Sequence, residues 1–197
     1  MADSNITKQA LADSMKALLQ ERDFEKISVS DICDRCYMNR KSFYYHFRDK
    51  YDLVNWIFDT EFIALNQENV IRITYDCCSF DERWETIAII CNYFYENRVF
   101  YRRILKVDGQ NSFSAHFRAV LHPLLRLRLE DLLGMENIPE MVYDFFVDGI
   151  TGAIERWLAD KDCVSAEAFM HDLLKLVQVM YFSLERRVQR DPKWLEG

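Results

Sequence analysis

A chain of 197 residues, half of them apolar and 14% aromatic with only five Gly and three Pro, is long enough for one small and one medium packed domain and excludes a disordered or turn-rich protein. The net charge of −7 excludes a protein that coats nucleic acid with its whole surface, yet residues 1–50 hold nine Lys/Arg against eight Asp/Glu while the rest is net −8, so any affinity for phosphate is expected in the head. No apolar run approaches the about 20 residues that cross a bilayer, and Met1 to Thr7 lack an apolar signal region, so a cytoplasmic protein without a membrane partner is expected.

In chain order, Ile6, Ala10, Leu11, Met15, Leu18 and Leu19 recur near the helical period and predict a first helix over about residues 6–20. Ser28, with Asp31 three places on, is a capping pair for a short second helix bearing Val29, Ile32, Cys33 and Cys36. After a turn over Cys36 to Asn39, Asn39 caps a third helix with Phe43 and Phe47 inward. Asp49 and Asp52 mark the start of a fourth helix, which runs through Val54, Ile57, Phe58 and Phe62 out of the head.

The β-branched run from Val70 to Ser79 fits a strand or a helix end equally. Beyond it, Phe80, Trp84, Ile87, Ala88, Cys91 and Phe94 define a fifth helix, and Phe100 to Leu105 a short sixth. The next, marked by Phe113, Phe117, Val120 and Leu121, contains Pro123, where a kink or restart is expected. Pro139 opens a long helix with Val142, Phe145, Phe146 and Trp157, and Ser165 caps the last. The expected fold is all-α: an N-terminal three-helix helix-turn-helix domain, residues 1–50, followed by a helical effector-binding and dimerisation domain, residues 51–197.

Two short helices joined by a tight turn, the second basic and aromatic, form the geometry that places a helix in the major groove. Arg35, Arg40, Lys41, Arg48 and Lys50 stand with a single acid, Asp49, in one stretch of sixteen residues. Arg40, Lys41 and Ser42 fall in the first turn of the third helix, where base edges are met, while Tyr44, His46 and Lys50 are placed to reach the phosphate backbone.

The run Asn39-Arg40-Lys41-Ser42-Phe43-Tyr44-Tyr45-His46-Phe47-Arg48-Asp49-Lys50 resembles the signature of the tetracycline-repressor (TetR/AcrR) family, and residues 6–55 follow that family's pattern. The resemblance implies a homodimer that reads a palindromic double-stranded operator, with DNA contacts at Ser30, Asn39, Arg40, Lys41, Ser42, Tyr44, His46 and Lys50. It also implies a repressor released by a small molecule. The segment Tyr93 to Tyr101 is similar to the branch of that family that activates dihydroxyacetone kinase genes with a partner protein, which supplies the alternative of control by a protein. The chain departs from the family at Tyr37, where a small residue or Gly is usual in the turn.

Other patterns carry less. Cys33 and Cys36 form a C-x-x-C pair on the inner face of a helix with no second pair at zinc spacing, and are read as packing residues. Cys77-Cys78 is read as passive rather than as a thiol sensor. His116, His122 and His171 stand singly, and no phosphate loop, nucleophile elbow or H-E-x-x-H is present. No enzyme, metal or cofactor is therefore expected. Trp84, Phe94, Phe117 and Phe145 either fill the core or line a pocket for a hydrophobic or aromatic effector. Gly149 and Gly152 point to close helix approach, and the helices near 139–160 and 165–187 are the expected dimer interface.

Overall fold

The protein is described by a computed structural model, which defines the backbone of residues 2–74, 80–105, 112–133, 137–176 and 179, and the side chains of 4–62, 88–105, 112–126, 137–176 and 179. Within these residues every regular element is helical: α1 (Ala2–Glu21), a 3₁₀ turn (Phe24–Lys26), α2 (Val29–Arg35), α3 (Arg40–His46), α4 (Lys50–Thr74), α5 (Phe80–Glu96), α6 (Arg98–Ile104), α7 (Phe113–Leu133) and α8 (Glu140–Ala159). A further helix, α9, occupies residues 166–176.

The head closes because each short helix is fixed at its start. Ser28 Oγ accepts from the Asp31 amide at 3.2 Å while the Ser28 amide donates to Asp31 Oδ2 at 2.8 Å, a reciprocal box that satisfies two otherwise orphaned donors. Asn39 Oδ1 accepts from the Ser42 amide at 2.8 Å, and Asp49 Oδ1 from the amides of Tyr51 and Asp52. Between these caps, Leu11, Met15, Leu18, Leu19, Phe24, Ile32 and Phe43 are each 2% exposed or less and form one apolar core.

α4 is the connector: 25 residues, or roughly 37 Å. Its buried Leu53, Val54, Ile57 and Phe58 belong to the same core as the head and as Phe94, Tyr101, Phe113 and Phe117 of the body. α7 and α8 pack along each other, and Trp157 of α8 stacks on Phe169 of α9 with ring centroids 4.1 Å apart.

Several expectations are revised. Ile6 is 65% exposed rather than inward. Val70 to Thr74 continue α4 as helix, and the remainder of that ambiguous run lies outside the described residues. α7 passes through Pro123 without interruption. Pro123 and Ala119, the residue whose carbonyl loses its partner, are both exposed, so the proline's missing N–H leaves no buried carbonyl unpaired. Pro139 is the N-cap of α8 rather than part of its first turn. Cys77, Cys78 and residues 180–187 lie outside the described residues.

Candidate nucleic-acid interface

The candidate reading helix α3 has two sharply different sides. Phe43 and Phe47 are 0% and 3% exposed, with their rings 5.8 Å apart, and anchor the helix in the head core. Around this anchor, Asn39, Arg40 and Lys41 are exposed and Ser42 and His46 half-buried, while Tyr44 is 51% exposed. The helix is seven residues long, so its marginal intrinsic stability rests on the two phenylalanines and the Asn39 cap. The basic first turn is thereby held at a fixed angle while its side chains stay in solvent.

Within that surface Arg40 is already partly oriented. Its guanidinium lies 5.9 Å from the Tyr44 ring centroid and 3.5 Å from the Tyr44 hydroxyl, one helical turn along. Ser30, half-buried, lies in the first turn of α2. Asp31 in the same turn is pushed down to about 2, chiefly by the hydrogen bonds it accepts from Ser28 and further by Arg22.

The turn between α2 and α3 is a Schellman motif. The Met38 amide donates to the Cys33 carbonyl at 2.9 Å and the Tyr37 amide to the Asp34 carbonyl at 3.3 Å, which closes the end of α2. Its geometry needs a left-handed residue, and Tyr37 takes φ = 57°, at a cost of about 1 kcal/mol for a residue with a Cβ. The departure at Tyr37 therefore leaves the turn itself intact. The Tyr37 ring is 98% exposed.

Lys50 departs from its expected phosphate contact. Its Nζ donates to the carbonyls of Phe24 at 2.7 Å, Ile27 at 2.8 Å and Glu25 at 3.3 Å, and lies 4.5 Å from the Phe24 ring centroid. Desolvation lowers its pKa. All three ammonium protons are thus engaged inside the head, and Lys50 staples the start of α4 to the turn before α2. Only the fold could reveal this, because the carbonyls lie 23 to 26 residues away in the chain.

The expected effector residues separate. Phe94 and Phe117 are buried, 5.4 Å apart between ring centroids, and both contact Phe58. Phe145, by contrast, is 66% exposed and lines no interior pocket: Tyr143, Val147, Thr151 and Ile154 take the inner face of α8, leaving Met141 and Phe145 outside. The side chain of Trp84 lies outside the described residues. Cys33 is buried and its pKa raised by desolvation, which leaves it an unreactive thiol. His116, solitary in sequence, meets Asp59 of α4 at 2.7 Å.

Sequence reasoning missed the polar links between head and body. Arg103 of α6 pairs with Asp23 at 3.3 Å. Lys16 of α1 pairs with Glu61 of α4, whose second oxygen accepts from the Tyr93 hydroxyl of α5 at 3.2 Å. No sequence spacing marks these contacts. No group of residues able to hold a metal occurs among the described residues, and no helix among them is long and apolar enough to cross a membrane.

The family model described as bacterial regulatory proteins, tetR family, matches residues 11–57, and a transcriptional regulator C-terminal region of the same family matches residues 82–179. A curated relative, the HTH-type dhaKLM operon transcriptional activator DhaS of Lactococcus lactis subsp. lactis (strain IL1403), is 31% identical over 109 residues, 55% of this chain and 54% of the relative. The matched stretch thus spans about half the length of that protein.

Among solved structures, a TetR transcriptional regulator from Streptococcus agalactiae 2603V aligns with a TM-score of 0.66 at 25% identity, over 91% of this chain and 96% of that one. A dihydroxyacetone kinase operon activator, DhaS, aligns in fold with a TM-score of 0.62 at 23% identity, over 89% and 96%. Regulators of this kind bind operator DNA and typically dimerise. With one model on the helix-turn-helix head and the other on the helical body, the chain belongs to the tetR family of transcriptional regulators.

Proposed function

We propose that the protein is a homodimeric, sequence-specific regulator of transcription that inserts α3 of each subunit into the major groove of a palindromic operator. The observation that carries this reading is the exposed basic first turn of α3, fixed from behind by Phe43, Phe47 and the Asn39 cap. Arg40, Lys41 and Ser42 are assigned to base edges. Ser30, Asn39, Tyr44 and His46 are assigned to phosphates. Lys50 is assigned to holding the head together.

Dimerisation is assigned to the outer face of α8 with the helix that follows it. Met141 and Phe145 are 77% and 66% exposed there, and a Cβ placed on Gly149 meets nothing within 4 Å, so a second helix has room to approach closely. The body is assigned to sensing. The aromatic packing of Phe94 against Phe117 and Phe58 favours control by a protein partner over control by a ligand lodged between those rings. The names of the relatives, operon activators, favour activation over the repression expected of the wider family.

A duplex selected by the full-length protein from a randomised pool tests the reading. Arg40→Ala should cost roughly 1 to 3 kcal/mol of discrimination between the selected and a scrambled duplex, and Lys41→Ala should likewise weaken binding to the selected duplex more than to the scrambled one. Binding that ignores both sequence and salt defeats the proposal. Transcription from a promoter carrying the selected site, with and without the regulator, gives the sign.

A further inference from the structure

Among the described residues of the head, Tyr37 is the one whose conformation disfavours the free protein twice over. It holds a left-handed backbone at φ = 57°, which Gly adopts without penalty, and it exposes 98% of a large aromatic side chain. Its side chain makes no hydrogen bond or ring contact to another described residue, whereas its neighbours Cys36 and Met38 pack against the core. The turn needs only its backbone. The side chain is therefore free to serve something outside the chain.

Its place indicates what. Tyr37 stands two residues before the Asn39 cap and three before Arg40, at the end of α3 that carries the exposed basic turn. When that first turn enters a groove, the segment leading into it crosses the groove's edge, where the phosphates lie. Tyrosine suits such a contact: a rigid side chain with few rotatable bonds and a hydroxyl that donates to an anionic oxygen without adding charge.

We infer that Tyr37 is a DNA-contact residue whose hydroxyl donates to a backbone phosphate at the edge of the half-site read by α3. This rests on the DNA-reading function proposed above. The contact positions the recognition helix and does not itself discriminate bases.

The test uses the full-length protein and the duplex it selects from a randomised pool, with Tyr37→Phe and Tyr37→Gly. Removing the hydroxyl alone should weaken binding about tenfold, the usual effect of losing a hydrogen bond to a charged group, on selected and scrambled duplexes alike. The slope of log K against log salt should stay unchanged, because no cation is lost. Tyr37→Gly should weaken binding at least as much while melting no lower than the wild type. Ethylating the contacted phosphate should impair the wild type but no longer impair Tyr37→Phe.

Wild-type affinity in both variants, with Arg40→Ala still losing discrimination, overturns the role of Tyr37 alone. So does a loss of affinity in Tyr37→Gly that merely follows a fall in melting temperature while Tyr37→Phe binds normally. Failure of the wild type to select any duplex overturns the contact and the DNA reading together.

Discussion

The hydroxyls of Tyr93 on α5 and Tyr101 on α6 lie 2.5 Å apart in the buried body. Because Tyr93 donates onward to Glu61, Tyr101 is left as donor to Tyr93, and Glu61 turns its other oxygen to Lys16 of α1. Four side chains thus form a polar path from the body to the first helix of the head. Removing the Tyr101 hydroxyl leaves Tyr93 without its donor, so Tyr101→Phe should lose about 1 to 2 kcal/mol of stability by urea unfolding at neutral pH.

The same pair has an alkaline signature. Burial raises both phenols above their ordinary value of 10.0, so above about that pH the unfolded chain releases protons that the folded chain retains. Stability should fall as pH rises beyond it, and more gently in Tyr101→Phe. Equal slopes for the two proteins would disprove the linkage.

At the other end of the pH scale, Asp31 shifts from 3.8 to about 2 because Ser28 donates to its carboxylate. A lowered carboxylate pKa contributes stability that is fully present above 3.8 and is lost as pH falls through about 2. Ser28→Ala should cost about 1 kcal/mol at neutral pH and flatten this acid limb, as followed by helical circular dichroism.

Lys50 separates a structural role from a phosphate contact. With three carbonyls around its ammonium, Lys50→Met should destabilise the head by about 1 to 3 kcal/mol, since those acceptors stay partly buried. The salt slope of DNA binding should not change. A drop of about one unit in that slope would instead put Lys50 on a phosphate.

Phe145 tests the dimer. Because it is 66% exposed, Phe145→Glu should leave the subunit folded, and a charge at an apolar interface should weaken association by about 2 kcal/mol or more. Sedimentation should show monomers at concentrations where the wild type is dimeric, with weaker binding to a palindromic site. A variant that stays dimeric would move the interface off this face of α8.

Much of the head was legible because its determinants are local. Ser28 with Asp31, Asn39 with Ser42, and Asp49 with Asp52 each act over three residues, so the starts of α2, α3 and α4 follow from side chains that satisfy nearby amides. The inward pair Phe43 and Phe47 follows from helical periodicity in the same way.

Periodicity failed where apolar residues surround a helix. Met141, Val142, Tyr143, Phe145, Phe146 and Val147 give α8 no single apolar stripe, so the sequence could not say that Tyr143 and Val147 turn inward while Met141 and Phe145 turn out. Contacts between distant segments were equally hidden. Lys50 meets carbonyls in the turn before α2, and His116 meets Asp59 from 57 residues away. By itself the sequence determined the short helices of the head, their caps and the basic first turn of α3, because those depend on neighbours within one helical turn. Tertiary structure alone decided which charges remain free for a partner, since a cation's availability depends on which acceptors the fold brings to it.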